Sequence, residues 1–237
     1  MSVTGVVLAL VCAVTPTEAT VVPAAPLETP RHVWLGFRLG SYYPWIDSEP
    51  GLSGTPYQST FGRNGMLLFE FEADYFFWQG FGALGAGLSI GYAEKYANAF
   101  LTDGSRAAEK TSLQVFPVRA HLVYWFDWML QKWGVPVVPY LKGSLSYWPW
   151  RVNTGPGVES ALGATGVGGR FGIGGTVGLA LALNFSDPQL ARDFDTSVGV
   201  NHTYLFAEWT YERVNSFGQP GIDLSSRRWT FGFALDF

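Results

Sequence analysis

The sequence is poor in cysteine, in charge and in long apolar runs. Its 237 residues include a single cysteine, Cys12, which excludes a disulfide framework and a cysteine-based zinc site. Lysine and arginine number 15 against 19 aspartate and glutamate, so the basic excess of nucleic-acid-binding proteins is missing and we expect no nucleic-acid partner. No apolar stretch approaches the roughly 20 residues that a membrane-spanning helix needs. If the chain spans a membrane, its membrane-spanning segments must be β-strands.

Aromatic residues and glycine are abundant instead. Phe, Tyr and Trp make up 16% of the residues, and there are 29 glycines. Charged residues make up only 14%, against roughly 25% in a typical soluble domain. Such a chain is too apolar and too aromatic to be disordered.

The N-terminal region resembles an export signal. An apolar run over residues 3–14 is followed by two zones of small residues suited to cleavage. We predict a signal peptide over residues 1–24, cleaved after Ala19 or Ala24, then a periplasmic segment at 25–33 and a single barrel domain at 34–237. Because no lysine or arginine precedes the apolar run, we expect translation to start upstream of Met1.

The end of the chain alternates strictly between large apolar residues and small or polar ones. Every second position is large and apolar: Trp229, Phe231, Phe233, Leu235 and Phe237. A period of two predicts a strand with one apolar face. This ladder ends on an aromatic residue and resembles the C-terminal assembly signal of bacterial outer-membrane barrels, which implies the barrel-assembly machinery as a partner.

The same alternation predicts seven further strands along the chain. Their apolar faces begin near Leu35, Leu67, Leu84, Phe116, Leu141, Phe171 and Leu205. Eight strands of about 9–11 residues make the smallest membrane barrel. We therefore predict an all-β fold, an eight-stranded antiparallel up-and-down transmembrane β-barrel.

An even number of strands places both chain termini on the periplasmic side. The predicted outer loops are 44–65, 94–112, 148–168 and 212–227. The predicted inner turns are 76–81, 125–136 and 184–198. Because two of these inner turns are longer than usual, a ten-stranded barrel is the alternative.

The polarity of the strands favours a membrane barrel over a soluble one. A soluble barrel buries its apolar face and exposes polar side chains. Here the second face consists mostly of Gly, Ala, Ser and Thr, which suits the crowded interior of an eight-stranded barrel. Trp and Tyr cluster near the strand ends, as they do at membrane interfaces. We predict the outer membrane of a Gram-negative bacterium, with its lipid as a partner.

This register predicts five acids, five bases and two histidines inside the barrel. The predicted lumen charge network is Arg38, Glu70, Glu72, Asp74, Arg119, His121, Lys142, Arg170, His202, Glu208, Arg228 and Asp236. Isolated charges in a narrow lumen would be costly, so they should pair, beginning with Arg38 and the acids of the second strand. We interpret the network as a charge-neutral plug; a proton or ion path is the alternative.

The sequence offers no convincing catalytic, cofactor or metal site. Residues 80–85 match the Gly-x-Gly-x-x-Gly pattern of dinucleotide sites, but an alternating strand follows where such a site needs a helix. His121 and His202 point inward, and Glu208 lies six residues from His202, roughly 20 Å along a strand. We expect no enzymatic activity, no cofactor and no metal.

Several segments resemble a family of uncharacterised outer-membrane β-barrel proteins of myxobacteria. They read GFRLGSYYPWID at 36–47, DP at 187–188, LARDFD at 190–195, GVNHTYLFAE at 199–208 and GIDLSSR at 221–227. The resemblance covers nearly the whole mature chain. It implies an outer-membrane barrel and nothing about activity, and it supplies no functional residues.

The leading interpretation is a non-enzymatic outer-membrane barrel with a plugged lumen. Its role would be structural, or recognition of an extracellular ligand by loops that vary on a rigid scaffold. A narrow pore for small or apolar solutes is the first alternative. An outer-membrane lipid-modifying enzyme that uses a histidine is the second.

Overall fold

The computed structural model describes residues 32–100, 106–155, 157–158, 160–161, 164–183 and 201–237. The predicted signal peptide, most of the predicted periplasmic segment and the predicted inner turn at 184–198 lie outside these residues. Their boundaries stay predictions.

Strands dominate the described chain. They are β1 (Val33–Tyr42), β2 (Met66–Gly80), β3 (Gly82–Phe100), β4 (Arg106–Val115), β5 (Val118–Trp125), β6 (Val137–Thr154), β7 (Gly157–Val158), β8 (Ser160–Ala161), β9 (Ala164–Thr165), β10 (Val167–Ala182), β11 (His202–Arg213) and β12 (Ser226–Asp236). Two short helices, α1 (Pro56–Phe61) and α2 (Trp128–Trp133), lie in the connections between strands. None of the helices in the described residues is long and apolar enough to cross a membrane.

The strands close into a ring with eight positions. The order is β1, β2, β3, β4 with β5, β6, β10, β11 and β12, and β12 pairs back with β1. β4 and β5 share one position because both pair with β3 and with β6. They are separated at Phe116 and Pro117, where proline has no backbone N–H for a regular ladder. All pairs are antiparallel, so the eight-stranded prediction is confirmed and the ten-stranded alternative is wrong.

Burial alternates along the strands with inverted polarity, as the sequence predicts. On β2, Phe71 is 62% exposed whereas Glu70 is 1% exposed. A water-soluble barrel shows the opposite arrangement, because it buries its apolar face. Small inward residues make room for the buried charges: a Cβ at Gly87 would collide with the Asp74 carboxylate and would lie 2.7 Å from His121 Nε2.

The outer connections contain more strand than the sequence predicts. The predicted loop at 94–112 is mostly a hairpin, because β3 continues to Phe100 and pairs with β4. The predicted loop at 148–168 likewise contains the end of β6 and three short strands. These segments lack an apolar face outside the lipid belt, so period-2 hydrophobicity cannot reveal them, although backbone pairing continues.

The long inner turn at 125–136 is explained by a helix rather than by extra strands. α2 begins after Asp127 and is capped at its C-terminal end by Gly134, which has a left-handed φ of 66°. Glycine adopts that conformation without steric cost and commonly ends helices in this way.

Two hydrophobic clusters lie inside the ring, one at each end. The end that carries His32 and Phe237, here called the terminal end, is filled by large side chains that include Trp34, Phe76, Trp125, Tyr140 and Tyr204. The opposite end, here called the loop end, is filled by a cluster that includes Tyr42, Tyr57, Leu68, Leu113 and Trp148. We call these the terminal-end cluster and the loop-end cluster.

Candidate functional site: the charged lumen

The lumen between the two clusters holds a continuous chain of ion pairs centred on Arg38. Its guanidinium contacts three carboxylates: Glu70 at 3.0 Å, Glu72 at 2.6 Å and Glu208 at 2.9 Å. Arg38 and Glu70 face each other in register across β1 and β2, so the pairing that the sequence predicts is present. Glu208 reaches the same guanidinium from β11, on the other side of β12.

Lys142 connects the ion pairs around Arg38 with the terminal-end cluster. It projects from β6, forms ion pairs with Glu72 and with Glu208, and lies 2.8 Å from the latter. Its ammonium also lies 5.0 Å from the ring centre of Trp34 and 5.1 Å from that of Tyr140. Aromatic faces attract cations, so the terminal-end cluster helps to hold the charge. The Tyr140 hydroxyl donates a 2.9 Å hydrogen bond to Glu208.

Glu212 connects the ion pairs around Arg38 with the loop-end cluster. It forms 3.0 Å ion pairs with Arg119 and with Arg228, and Arg119 also pairs with Glu70. Trp148 Nε1 donates a 3.1 Å hydrogen bond to Glu212. The two guanidiniums lie 5.1 Å and 5.7 Å from the Trp148 ring centre. The loop-end cluster therefore borders the network directly.

Glu212 is a member of the network that the sequence pattern does not predict. It is fully buried, although it lies in the predicted outer loop 212–227. One feature of the sequence indicates its direction: Glu208, Thr210 and Glu212 occupy every second position of β11, and all three are buried. β11 continues to Arg213, beyond Tyr211, which is the last residue of its outward apolar face.

Asp74 and His121 extend the chain of contacts toward the terminal end. His121 Nε2 lies 2.7 Å from Asp74 and 3.8 Å from Glu72. These three residues offer ligand atoms within 4.8 Å of one another, a spacing that a metal ion could bridge. We assign no metal to them, because Glu72 is already paired with Lys142 and Arg38 and a cation would have to displace them.

The ion pairs of the described network match acids and bases one to one. Four glutamates are matched by four bases: Glu70, Glu72, Glu208 and Glu212 by Arg38, Arg119, Lys142 and Arg228. Asp74 contacts the His121 imidazole instead, at 2.7 Å. Burying a charge is tolerable when it is paired and hydrogen-bonded, so mutual pairing explains how a lumen this narrow contains so many charges.

Three predicted members of the network lie at the ends of the lumen. Arg170 lies at the loop end and donates hydrogen bonds to the carbonyl oxygens of Gln219, at 3.4 Å, and Pro220, at 2.8 Å. Its predicted place in the network is wrong, because its strand position lies beside Trp148, above the charges. His202 and Asp236 face each other in register at the terminal end, and the His202 ring stacks on Tyr204.

The loop between β1 and β2 covers the loop end. The Asp47 carboxylate accepts hydrogen bonds from the backbone N–H groups of Tyr57 (2.7 Å) and Gln58 (2.9 Å). The Tyr57 ring packs against Tyr43 and Phe61, with ring centres 5.1 Å and 5.3 Å away. Burial raises the pKa of the Tyr57 hydroxyl well above its ordinary value, and the nearby Tyr43 and Asp47 add to the shift.

The loop before β12 completes this cover. The Tyr42 hydroxyl donates a 2.8 Å hydrogen bond to the carbonyl oxygen of Leu224. Glu49, in the first loop, accepts a 3.1 Å hydrogen bond from the backbone N–H of Gly221. The two loops are therefore bonded to the barrel and to each other.

These features together define a class of protein. Among the described residues the ring is closed and has no free sheet edge, its outer face exposes large apolar side chains, and its interior is charged and filled. In lipid every backbone polar group needs a partner within the protein, and only helices and closed barrels satisfy that requirement. The fold is that of an eight-stranded transmembrane β-barrel.

Several solved structures are similar to this chain. No protein-family model matches the chain, and no curated protein matches it. Neisserial surface protein A (NspA) is similar in structure, with 14% sequence identity and a TM-score of 0.45, over 87% of this chain and 97% of that one. OprG from Pseudomonas aeruginosa has 12% identity and a TM-score of 0.47, over 87% and 95%.

The attachment invasion locus protein Ail of Yersinia pestis is also similar, with 12% identity and a TM-score of 0.40, over 87% of this chain and 97% of that one. These neighbours are bacterial outer-membrane β-barrel proteins. Membership of a myxobacterial family stays a prediction.

Proposed function

We propose that the protein is an integral, non-enzymatic β-barrel of a Gram-negative outer membrane, with a closed lumen and a structural or recognition role carried by its outer loops. The observation that carries this proposal is the filled interior. An ion-pair network lies between two aromatic clusters, so the described lumen is occupied from the terminal end to the loop end. In this proposal the terminal end is periplasmic and the loop end is extracellular.

The exposed surface supports the membrane placement. Outward side chains such as Phe71, Leu88, Leu145 and Phe231 are all at least 60% exposed. A monomeric soluble protein rarely exposes a contiguous apolar patch larger than a few hundred Å², and larger ones mark membrane or protein contacts. A belt that surrounds the barrel matches the hydrocarbon core of a bilayer.

The closed lumen speaks against a transport pore. A solute would have to pass the stacked rings of Trp125 and Tyr140, whose centres are 4.9 Å apart, and then the ion pairs of Arg38. At the loop end it would meet Tyr42 and Trp148, whose ring centres are 5.1 Å apart. Opening this path would require several buried contacts to break together.

The positions of the histidines speak against a lipid-modifying enzyme. His121 is buried in the lumen and bonded to Asp74, and His202 lies at the terminal end. Chemistry on an outer-leaflet lipid needs a reactive group near the loop end of the outer wall. Neither histidine lies there.

Two measurements on the full-length protein test this proposal. Heat-modifiability on a gel should show a compact species in unboiled outer-membrane extract that shifts on boiling. In a planar bilayer the folded protein should give no discrete conductance steps above the lipid background. Regular conductance steps from the compact species would overturn the closed lumen, and a soluble protein with no heat shift would overturn the membrane placement.

A further inference from the structure

The outer wall formed by β11 and β12 changes polarity in steps toward the loop end. Neighbouring outward pairs in register are Leu205 with Phe233, Ala207 with Phe231, Trp209 with Trp229 and Tyr211 with Arg227. Arg213 follows as the last outward residue of β11. This order, from apolar to Trp, then Tyr and finally Arg, matches the passage from hydrocarbon to headgroups, where Trp and Tyr collect.

Arg213 and Arg227 form a pair of outward cations at the top of this series. Arg227 lies in register with Tyr211, so Arg213 is its diagonal neighbour, and diagonal neighbours of this kind are about 7–8 Å apart. Both residues are exposed, and within the described part of the chain neither forms an ion pair. Two arginines without an acidic partner among the described residues therefore project from neighbouring positions on the outer wall.

An aromatic side chain from the first loop borders the pair. The Trp45 backbone N–H donates a 3.0 Å hydrogen bond to the carbonyl oxygen of Ser225, just before β12. The Trp45 ring centre lies 6.0 Å from that of Tyr211, and the Arg227 guanidinium lies 5.8 Å from the Trp45 ring centre. The loop thus places an indole beside Arg227, which limits the positions available to that guanidinium.

The opposite part of the rim is built differently. There Glu94, Gln114 and Arg151 lie in one row across β3, β4 and β6. Arg151 donates a 2.9 Å hydrogen bond to Gln114, which donates a 2.7 Å hydrogen bond to Glu94. This arginine already has polar partners and lies in the same row as an acid, whereas Arg213 and Arg227 have neither.

We propose that Arg213 and Arg227 bind a phosphate group of an outer-leaflet lipid headgroup. The inference rests on the proposed membrane placement, which sets the two guanidiniums at headgroup height. Guanidinium groups bind phosphate oxygens through paired charge-assisted hydrogen bonds, and two arginines that project from diagonal positions on one face can bind the same phosphate. The lipid would contact Trp229 and Trp209 below them through its apolar part. The site would fix the barrel's depth and its immediate lipid neighbour.

The test uses the purified full-length protein in a neutral detergent, with native mass spectrometry to count bound lipid. The probes are lipid A with its phosphates and the same glycolipid after dephosphorylation. The wild type should retain the phosphorylated form preferentially. In Arg213→Gln/Arg227→Gln, retention should fall about tenfold to thirtyfold, because each arginine near an anionic lipid surface contributes on the order of 1 kcal/mol.

Arg151→Gln is the matched control, since it removes an outward arginine of the same rim and should change retention by less than about twofold. Equal retention of the two glycolipids, or an equal loss in the control, would overturn the proposal. Displacement of the lipid by millimolar inorganic phosphate would show a site for free anions and would also overturn it. Heat-modifiability of each variant separates these outcomes from a failure of the membrane placement, which would leave no compact species at all.

Discussion

At the scale of single residues, the lumen depends on carboxylates that each serve more than one base. Glu212 is the clearest case, because Arg228 forms its one ion pair among the described residues with Glu212. Removing one partner of a buried ion pair leaves the other charge uncompensated, which costs more than the pair itself contributes.

Glu212→Gln should therefore destabilise the barrel by about 3–5 kcal/mol. The glutamine keeps the size of the side chain and can still accept from Trp148, but Arg228 loses its counter-charge. Urea unfolding in lipid vesicles measures the difference. Glu94→Gln is the control, because that carboxylate lies on the outer rim; it should change stability by less than about 1 kcal/mol. Equal effects of the two substitutions would contradict the role of the buried network.

Tyr57 gives the loop end a dependence on pH. Burial raises the pKa of its hydroxyl above the ordinary value near 10. The folded state then holds the proton when the unfolded state releases it, so the contribution of this hydroxyl to stability should be constant below about pH 10 and should fall as the pH rises further.

The difference between spectrophotometric titrations of the wild type and of Tyr57→Phe isolates this hydroxyl. It should titrate above pH 10, and the loss of stability above that pH should be smaller in the variant. Ionisation of Tyr57 at an ordinary pKa would show that the ring is not held in the loop-end cluster.

At the scale of elements, β12 closes the barrel. It pairs with β1 from Trp34 opposite Asp236 to Gly40 opposite Thr230. The backbone of Phe237 continues this seam, since its carbonyl accepts hydrogen bonds from His32 and Val33 and its N–H donates to Val33. The side chain is not needed for these bonds.

The predicted assembly signal and the structural seam can therefore be separated. Phe237→Ser keeps the backbone bonds, so the purified protein should still fold into detergent as a heat-modifiable species. In cells, the folded fraction in the outer membrane should fall several-fold if the aromatic end is read by the assembly machinery.

Phe71→Ser, which removes a lipid-facing ring from β2, serves as the control for lost apolar surface. An equal loss of assembly in Phe71→Ser and Phe237→Ser would refute a special role for the terminal residue.

Elements were predictable to different degrees. Period-2 alternation located all eight wall positions, because a belt of lipid demands an apolar side chain at every second residue. It could not reveal the extension of β3 to Phe100 or of β6 to Thr154, because strands that leave the lipid no longer need an apolar face. For the same reason the apolar alternation of β11 stops at Tyr211, and the sequence pattern predicts a loop at Glu212.

At the scale of the whole molecule, the proposed orientation predicts which basic residues a protease can reach. Arg63 follows α1 at the loop end, and Lys132 lies in α2 at the terminal end; both are exposed. Trypsin added to intact cells should cleave after Arg63 and should spare Lys132. Cleavage after Lys132 should appear only once the outer membrane is permeabilised, and cleavage there in intact cells would mean that the orientation is reversed.

The sequence by itself determined the number of wall strands and the inward or outward direction of most of their side chains, and hence most of the charges that enter the lumen. These properties are local, since a strand presents alternate residues to opposite faces whatever its neighbours are. The pairing of Arg38 with the acids of the second strand, Glu70 and Glu72, followed from strand order.

Only the tertiary structure decided the contacts across the lumen. Arg38 meets Glu208, which is 170 residues away, and Lys142 bridges Glu72 and Glu208 from the opposite wall. Such contacts depend on the tilt and stagger of a closed barrel, which alternation along one strand does not encode. The same tilt and stagger decided that Arg170 binds loop carbonyls at the loop end, above the network.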